Sequence, residues 1–134
     1  MPLMPGPLLR GIPLLGTVEA GFPTAAEEEL QDTMSLDEFL IERKDATYIL
    51  RVKGESMIDA GIMPGDLVIV ERGVSPRIGD IVIAEVDHEW TMKTFLKKGN
   101  QVVIMPANEK FPPIIANDEL KIAAIVRGVI RKYS

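Results

Sequence analysis

From Thr47 onward, β-branched and aliphatic residues gather in short runs separated by Gly, Pro, Asn and Asp. The runs are "TYILRVKG", "DLVIVERG", "GDIVIAEVD", "EWTMKTFLKK", "NQVVIMP" and "ELKIAAIVRGVIRKY". Apolar runs of this length between turn residues predict strands. Two of the links predict tight hairpins: "VDHEW", with Asp87 and His88 at the bend, and "KKGNQ", with Gly99–Asn100. The pattern predicts a mostly β fold, a compact antiparallel domain folded over on itself in the manner of a barrel. The long last run predicts a strand edge open to pairing.

Before residue 47 the pattern is different. "MPLMPGPLLRGIPLLG" is apolar but broken by proline, which fixes φ and restricts the residue before it. Residues 1–23 therefore read as an extended N-terminal arm, and residues 24–134 as the globular part. "IPLL" and "TVEA", either side of Gly16, each fit a short strand. The arm is too rich in Leu, Ile and Met for a solvated tail, so it is expected to dock. Thr24 with Glu27 has the spacing of a helix capping box, and Ser35 with Glu38 repeats it before Leu36, Phe39 and Leu40. One or two short helices follow, the clearer at residues 36–42.

Composition narrows the chemistry. The chain has 134 residues, one domain's worth, and 46% of them are apolar, enough to fill a core. There is no cysteine, so disulfides and thiolate metal sites are excluded. A single histidine, His88, cannot supply a histidine-rich metal site. The acidic run Glu27–Glu29 reads as a solvated helix face, and the scattered methionines as packing residues. No metal or cofactor is expected. The formal charge is −5, and the longest basic clusters are Lys97–Lys98 and Arg131–Lys132, which argues against direct tight DNA binding. The start lacks the unbroken apolar stretch of a signal peptide, and no window reaches the roughly 18 apolar residues of a membrane span. These features predict a cytoplasmic chain.

Two side chains carry candidate chemistry. Ser56 lies in "GESMID", between two predicted strands, and has S-x-x-D spacing to Asp59. It fits a helix N-cap. It also fits a nucleophile, because unpaired N–H groups at such a turn, those of Ser56 and Met57, could hold the oxyanion formed when its Oγ attacks a carbonyl. Lys93 shares a strand face with Thr91 and Phe95. On a solvent face it would be an ordinary lysine whose stem covers apolar surface. On a buried face it would lose solvation, its pKa would fall, and it could take a proton from serine. Alternation does not say which face is inside. His88, at a hairpin tip, is expected in solvent rather than in a triad.

Together, "VKGESMIDAGIMPGDLVIVERG" and "GDIVIAEVDHEWTMKTFLKKGN" resemble the LexA and UmuD family of self-cleaving serine proteins. The matching positions are Gly54, Ser56, Met57, Gly61, Ile62, Gly65 and Asp66, then Thr91–Met92–Lys93, where methionine replaces the usual valine. "MPANEKFPPI" resembles a further family segment, and "GTVEAGFPTAA" supplies Ala20–Gly21 where the family cuts itself. The resemblance implies a fold like the LexA C-terminal domain, a Ser56 nucleophile, a Lys93 base and a scissile Ala20–Gly21 bond. It also implies a homodimer whose cleavage a RecA–single-stranded DNA filament stimulates. Only 20 residues precede the scissile bond, and "GFPTAA" and "LDEFLIER" resemble the UmuD branch. That branch implies a cleaved product that serves a UmuC-type translesion polymerase; the alternatives are a non-catalytic dimeric interaction module and the catalytic domain of a truncated LexA-type transcriptional repressor.

Overall fold

The six predicted runs all form strands, "IPLL" lies largely in a seventh, and two further short strands join them that the pattern did not predict. The structure is a computed structural model that describes residues 11–23, 25, 32–116 and 120–134. The chain divides into two compact units, Met1–Glu42 and Arg43–Ser134.

In the first unit, β1 (Gly11–Leu14) pairs antiparallel with β2 (Asp32–Ser35), Gly11 opposite Ser35 and Leu14 opposite Asp32. Pro13 is tolerated because a two-stranded ribbon leaves one side of each strand unpaired. "TVEA" forms no strand; residues 15–19 have no regular structure and residues 20–22 form a bend. Helix α1 spans Leu36–Leu40, shorter than expected, and the Ser35 hydroxyl caps it by accepting from Glu38 N at 3.4 Å. The β-region backbone of Ile41 ends the helix. The capping box at Thr24–Glu27 and the acidic run Glu27–Glu29 lie outside the described residues.

The second unit is one seven-stranded sheet. Its strands are β3 (Thr47–Arg51), β4 (Leu67–Glu71), β5 (Ile81–Val86), β6 (Glu89–Lys98), β7 (Gln101–Met105), β8 (Ile114–Ile115) and β9 (Leu120–Ile130). Their order is β3-β4-β9-β5-β6-β7-β8, and every neighbouring pair is antiparallel. Among the described residues the fold is thus mostly antiparallel β with one short α-helix. Both hairpins form as expected: Asp87 and His88 take the left-handed region (φ 51° and 66°), and Gly99 has φ 62°.

The last strand is not a sheet edge. β9 lies between β4 and β5, pairing with β5 along Leu120–Ile125 and with β4 along Ile125–Ile130, so the edges are β3 and β8. Its length drew the expectation of an open edge, but it has a neighbour on each side, and Ala124 and Ile125 at its middle are buried. Two register shifts leave Ala123 and Arg127 without a cross-strand partner. Such bulges add twist, which lets one long strand serve two neighbours. Arg127 pairs with buried Glu71 at 3.5 Å, and Arg43 reaches the same carboxylate at 3.6 Å.

The core forms two clusters. Met57, Ile62, Val68, Val70, Ile83 and Ala124 make one; Val82, Phe95 and Ile125 make the other. Adjacent residues Val82 and Ile83 belong to different clusters, as alternation along a strand buried on both faces requires.

Candidate active site

Ser56 stands in the link between β3 and β4, and burial of its neighbour explains its placement. Met57 is 1% exposed and packs in the first core cluster, so the turn is pinned by its own side chain. Burying a methionine is worth about 1.5–3 kcal/mol. A single 3-10 turn follows, Ile58–Ala60, and Gly61 ends it in the left-handed conformation (φ 80°) that a residue with a Cβ rarely adopts.

Ser56 does not cap this turn. Met57 holds the N-cap position and no side chain makes the cap hydrogen bond. Asp59 N donates instead to Ala107 O at 2.7 Å, far along the chain. The Ser56 hydroxyl faces Lys93, whose Nζ is 3.0 Å away. Among the described residues, neither the Ser56 nor the Met57 amide donates to an acceptor.

Lys93 sits in the middle of β6, opposite Val82 of β5, and is 6% exposed. Like Phe95, it points inward. Nζ has three partners: Ser56 Oγ at 3.0 Å, Thr91 Oγ1 at 2.5 Å and Met92 O at 3.1 Å. No carboxylate lies within ion-pair distance among the described residues. Burial therefore lowers the Lys93 pKa, since desolvation penalises the charged form and no negative group repays it. Three partners also suit a neutral amine: two N–H groups donate to Thr91 and Met92, and the lone pair accepts from the Ser56 hydroxyl. That arrangement can remove a proton from serine.

A cleft of about 260 Å³ opens beside Ser56. Val52, Val68, Ile83 and Met92 give it an apolar lining, and half-exposed Trp90 lies at its side. Its size and character suit the small apolar side chains of an extended peptide.

Further along, Asp66 is 3% exposed and accepts from Arg131 Nε and Nη2 at 2.7 and 2.6 Å and from Met63 N at 2.8 Å. These bonds, the Arg131 pair foremost, hold its carboxyl down at about 2. Arg131 also donates to Gly61 O at 2.7 Å, so the residue after β9 clamps the segment that follows the serine turn. Sequence reading assigned no role to Thr91, Asn108 or Arg131. Only the T-x-K spacing hinted at Thr91.

His88 stays at its hairpin tip, exposed. Ala20 and Gly21 lie exposed in the bend of the first unit. Among the described residues no cluster of His, Asp or Glu is gathered for a metal.

The Peptidase S24-like family model matches residues 13–127. The chain belongs to the S24 peptidase family. S24 is a family of Ser–Lys autoproteolytic serine peptidases. The chain is 43% identical over 122 residues to a LexA repressor of Clostridium kluyveri, covering 91% of this chain and 60% of that protein. It is 45% identical over 127 residues to a LexA repressor of Carboxydothermus hydrogenoformans, covering 93% of this chain and 62% of that protein. With a LexA repressor of Clostridium novyi it shares 38% over 133 residues, 98% of this chain and 65% of that protein. The chain thus spans less than two thirds of the length of these curated relatives. The S24 relatives named here are LexA repressors, which shifts weight from the UmuD branch to LexA.

Proposed function

We propose that this chain is a LexA-like peptidase unit that cuts its own Ala20–Gly21 bond. The observation that carries the reading is the 3.0 Å contact between the buried Lys93 amine, without a counter-charge among the described residues, and the Ser56 hydroxyl. Neutral Lys93 takes the Ser56 proton as Oγ attacks the Ala20 carbonyl carbon. The Ser56 and Met57 amides hold the oxyanion. The tetrahedral intermediate collapses, the C–N bond breaks, and Lys93 returns the proton to the Gly21 amine. Water, deprotonated by Lys93, then releases the Ala20 carboxylate from Ser56. A tethered substrate needs no bimolecular encounter, so weak positioning suffices.

The LexA relatives support placing this cleavage in the SOS response of a cytoplasmic homodimer. A RecA–single-stranded DNA filament would raise the population of the cleavage-competent arm position. The direct experiment is mass spectrometry of the chain after alkaline incubation. A new species beginning at Gly21 is expected from wild type and not from Ser56→Ala or Lys93→Ala. Cleavage by Lys93→Ala at the wild-type rate would falsify the dyad.

A second reading follows from the UmuD-like "GFPTAA" and "LDEFLIER". In it, the product beginning at Gly21 binds a UmuC-type polymerase for translesion synthesis. Binding of that purified product to such a polymerase tests it, and absence of binding at micromolar concentrations removes it.

A further inference from the structure

We propose that Asn108 is a positioning residue that aims the Ser56 amide at the oxyanion; this rests on the self-cleavage reading above. Asn108 lies in the connection between β7 and β8 and is 9% exposed. Its Oδ1 accepts from Lys110 N at 3.1 Å, which directs Nδ2 the other way, to the carbonyl of Glu55 at 2.8 Å.

The Glu55 carbonyl and the Ser56 N–H belong to one peptide unit. In a planar trans peptide these two groups point in opposite directions. A bond that holds the Glu55 carbonyl therefore aims the Ser56 N–H. The other bond to that carbonyl comes from Ile58 N and is long, 3.3 Å. The adjacent residue, Ala107, accepts from Asp59 N at 2.7 Å. One segment thus grips the serine turn on both sides of Ser56, while Lys93 approaches from β6.

The test compares alkaline self-cleavage of the full chain in wild type, Asn108→Ala and Asn108→Asp. Losing one aimed oxyanion donor costs about 100-fold or more in rate, and both variants are expected to slow by about that factor. The Asp variant keeps the shape and the acceptor for Lys110 N, but its carboxylate is ionised at alkaline pH and cannot donate to Glu55. It leaves no cavity, and melting curves of both variants identify any that fail by unfolding. The pH midpoint of cleavage in Asn108→Ala should match wild type, because no partner of Lys93 has changed. A general loosening of the site would move that midpoint. A folded variant that cuts at the wild-type rate overturns the proposal, as does a shifted midpoint with an unchanged plateau. A wild-type chain that never cuts overturns the self-cleavage reading itself, before any variant is compared.

Discussion

Lys93 reaches Ser56 across 37 positions of sequence, amine to hydroxyl, at 3.0 Å, and does so from a strand position with no carboxylate in ion-pair reach among the described residues. A lysine held this way is unfavourable as a cation and useful as a base. The cost to stability and the capacity for catalysis have one cause, the desolvation of Nζ.

Self-cleavage is expected to rise with pH and to level off once Lys93 is neutral, with a midpoint below the pKa of an exposed lysine. The sign for stability follows. The folded pKa is depressed, so between it and the ordinary value of 10.5 the unfolded chain binds more protons, and stability rises with pH through that window. At pH 7 folding either dehydrates the Lys93 cation or strips its proton, and both cost stability, so Lys93→Met should raise the Tm by several degrees. Rates from pH 6 to 11 and melting curves at pH 7 check both. A flat rate profile removes the lysine base.

Thr91→Val takes away the hydroxyl that accepts from Nζ at 2.5 Å. The ammonium form loses an acceptor, so the midpoint of cleavage should move to lower pH. The amine is also less firmly aimed, and the plateau rate should fall by about 10-fold, a loss of ~1.4 kcal/mol. Single-turnover cleavage across pH measures both. An unchanged profile means the hydroxyl is a bystander.

Asp66→Asn should destabilise the chain above pH 4 and progressively less below it. The Asp66 carboxyl is held at about 2 against an ordinary 3.8, so its contribution is complete above the higher value and fades as pH falls toward the lower. Urea unfolding of both chains at pH 7 and pH 2.5 tests this. An equal gap at the two pH values means the Arg131 clamp acts by shape and not by charge.

His88→Gly should leave cleavage unchanged and stabilise the hairpin by about 1 kcal/mol, because glycine adopts φ 66° without the strain a Cβ brings. Cleavage rate and Tm are the readouts. A large loss of activity would implicate the imidazole and contradict the dyad.

What the sequence by itself determined was local. Alternating and β-branched runs predicted the six main strands, turn residues predicted both hairpins, and the Ser35–Glu38 spacing predicted α1. These follow from steric preferences that act within a few residues. The same local logic misled where distant contacts compete. S-x-x-D made Ser56 look like a cap, yet the amide of Asp59 went to Ala107 and the cap position fell to Met57. The length of β9 suggested an edge, but its backbone pairs with β5 along one half and β4 along the other, and its two bulges cannot be read before those neighbours are known. Which face of β6 is buried was undecidable from its alternation, since both faces carry apolar and polar residues. Only tertiary packing put Lys93 inside, and its lowered pKa, its contact with Ser56 and the Asn108 grip on Glu55 all depend on that packing. Burial and long-range hydrogen bonds are properties of the assembled sheet, so no window of sequence contains them.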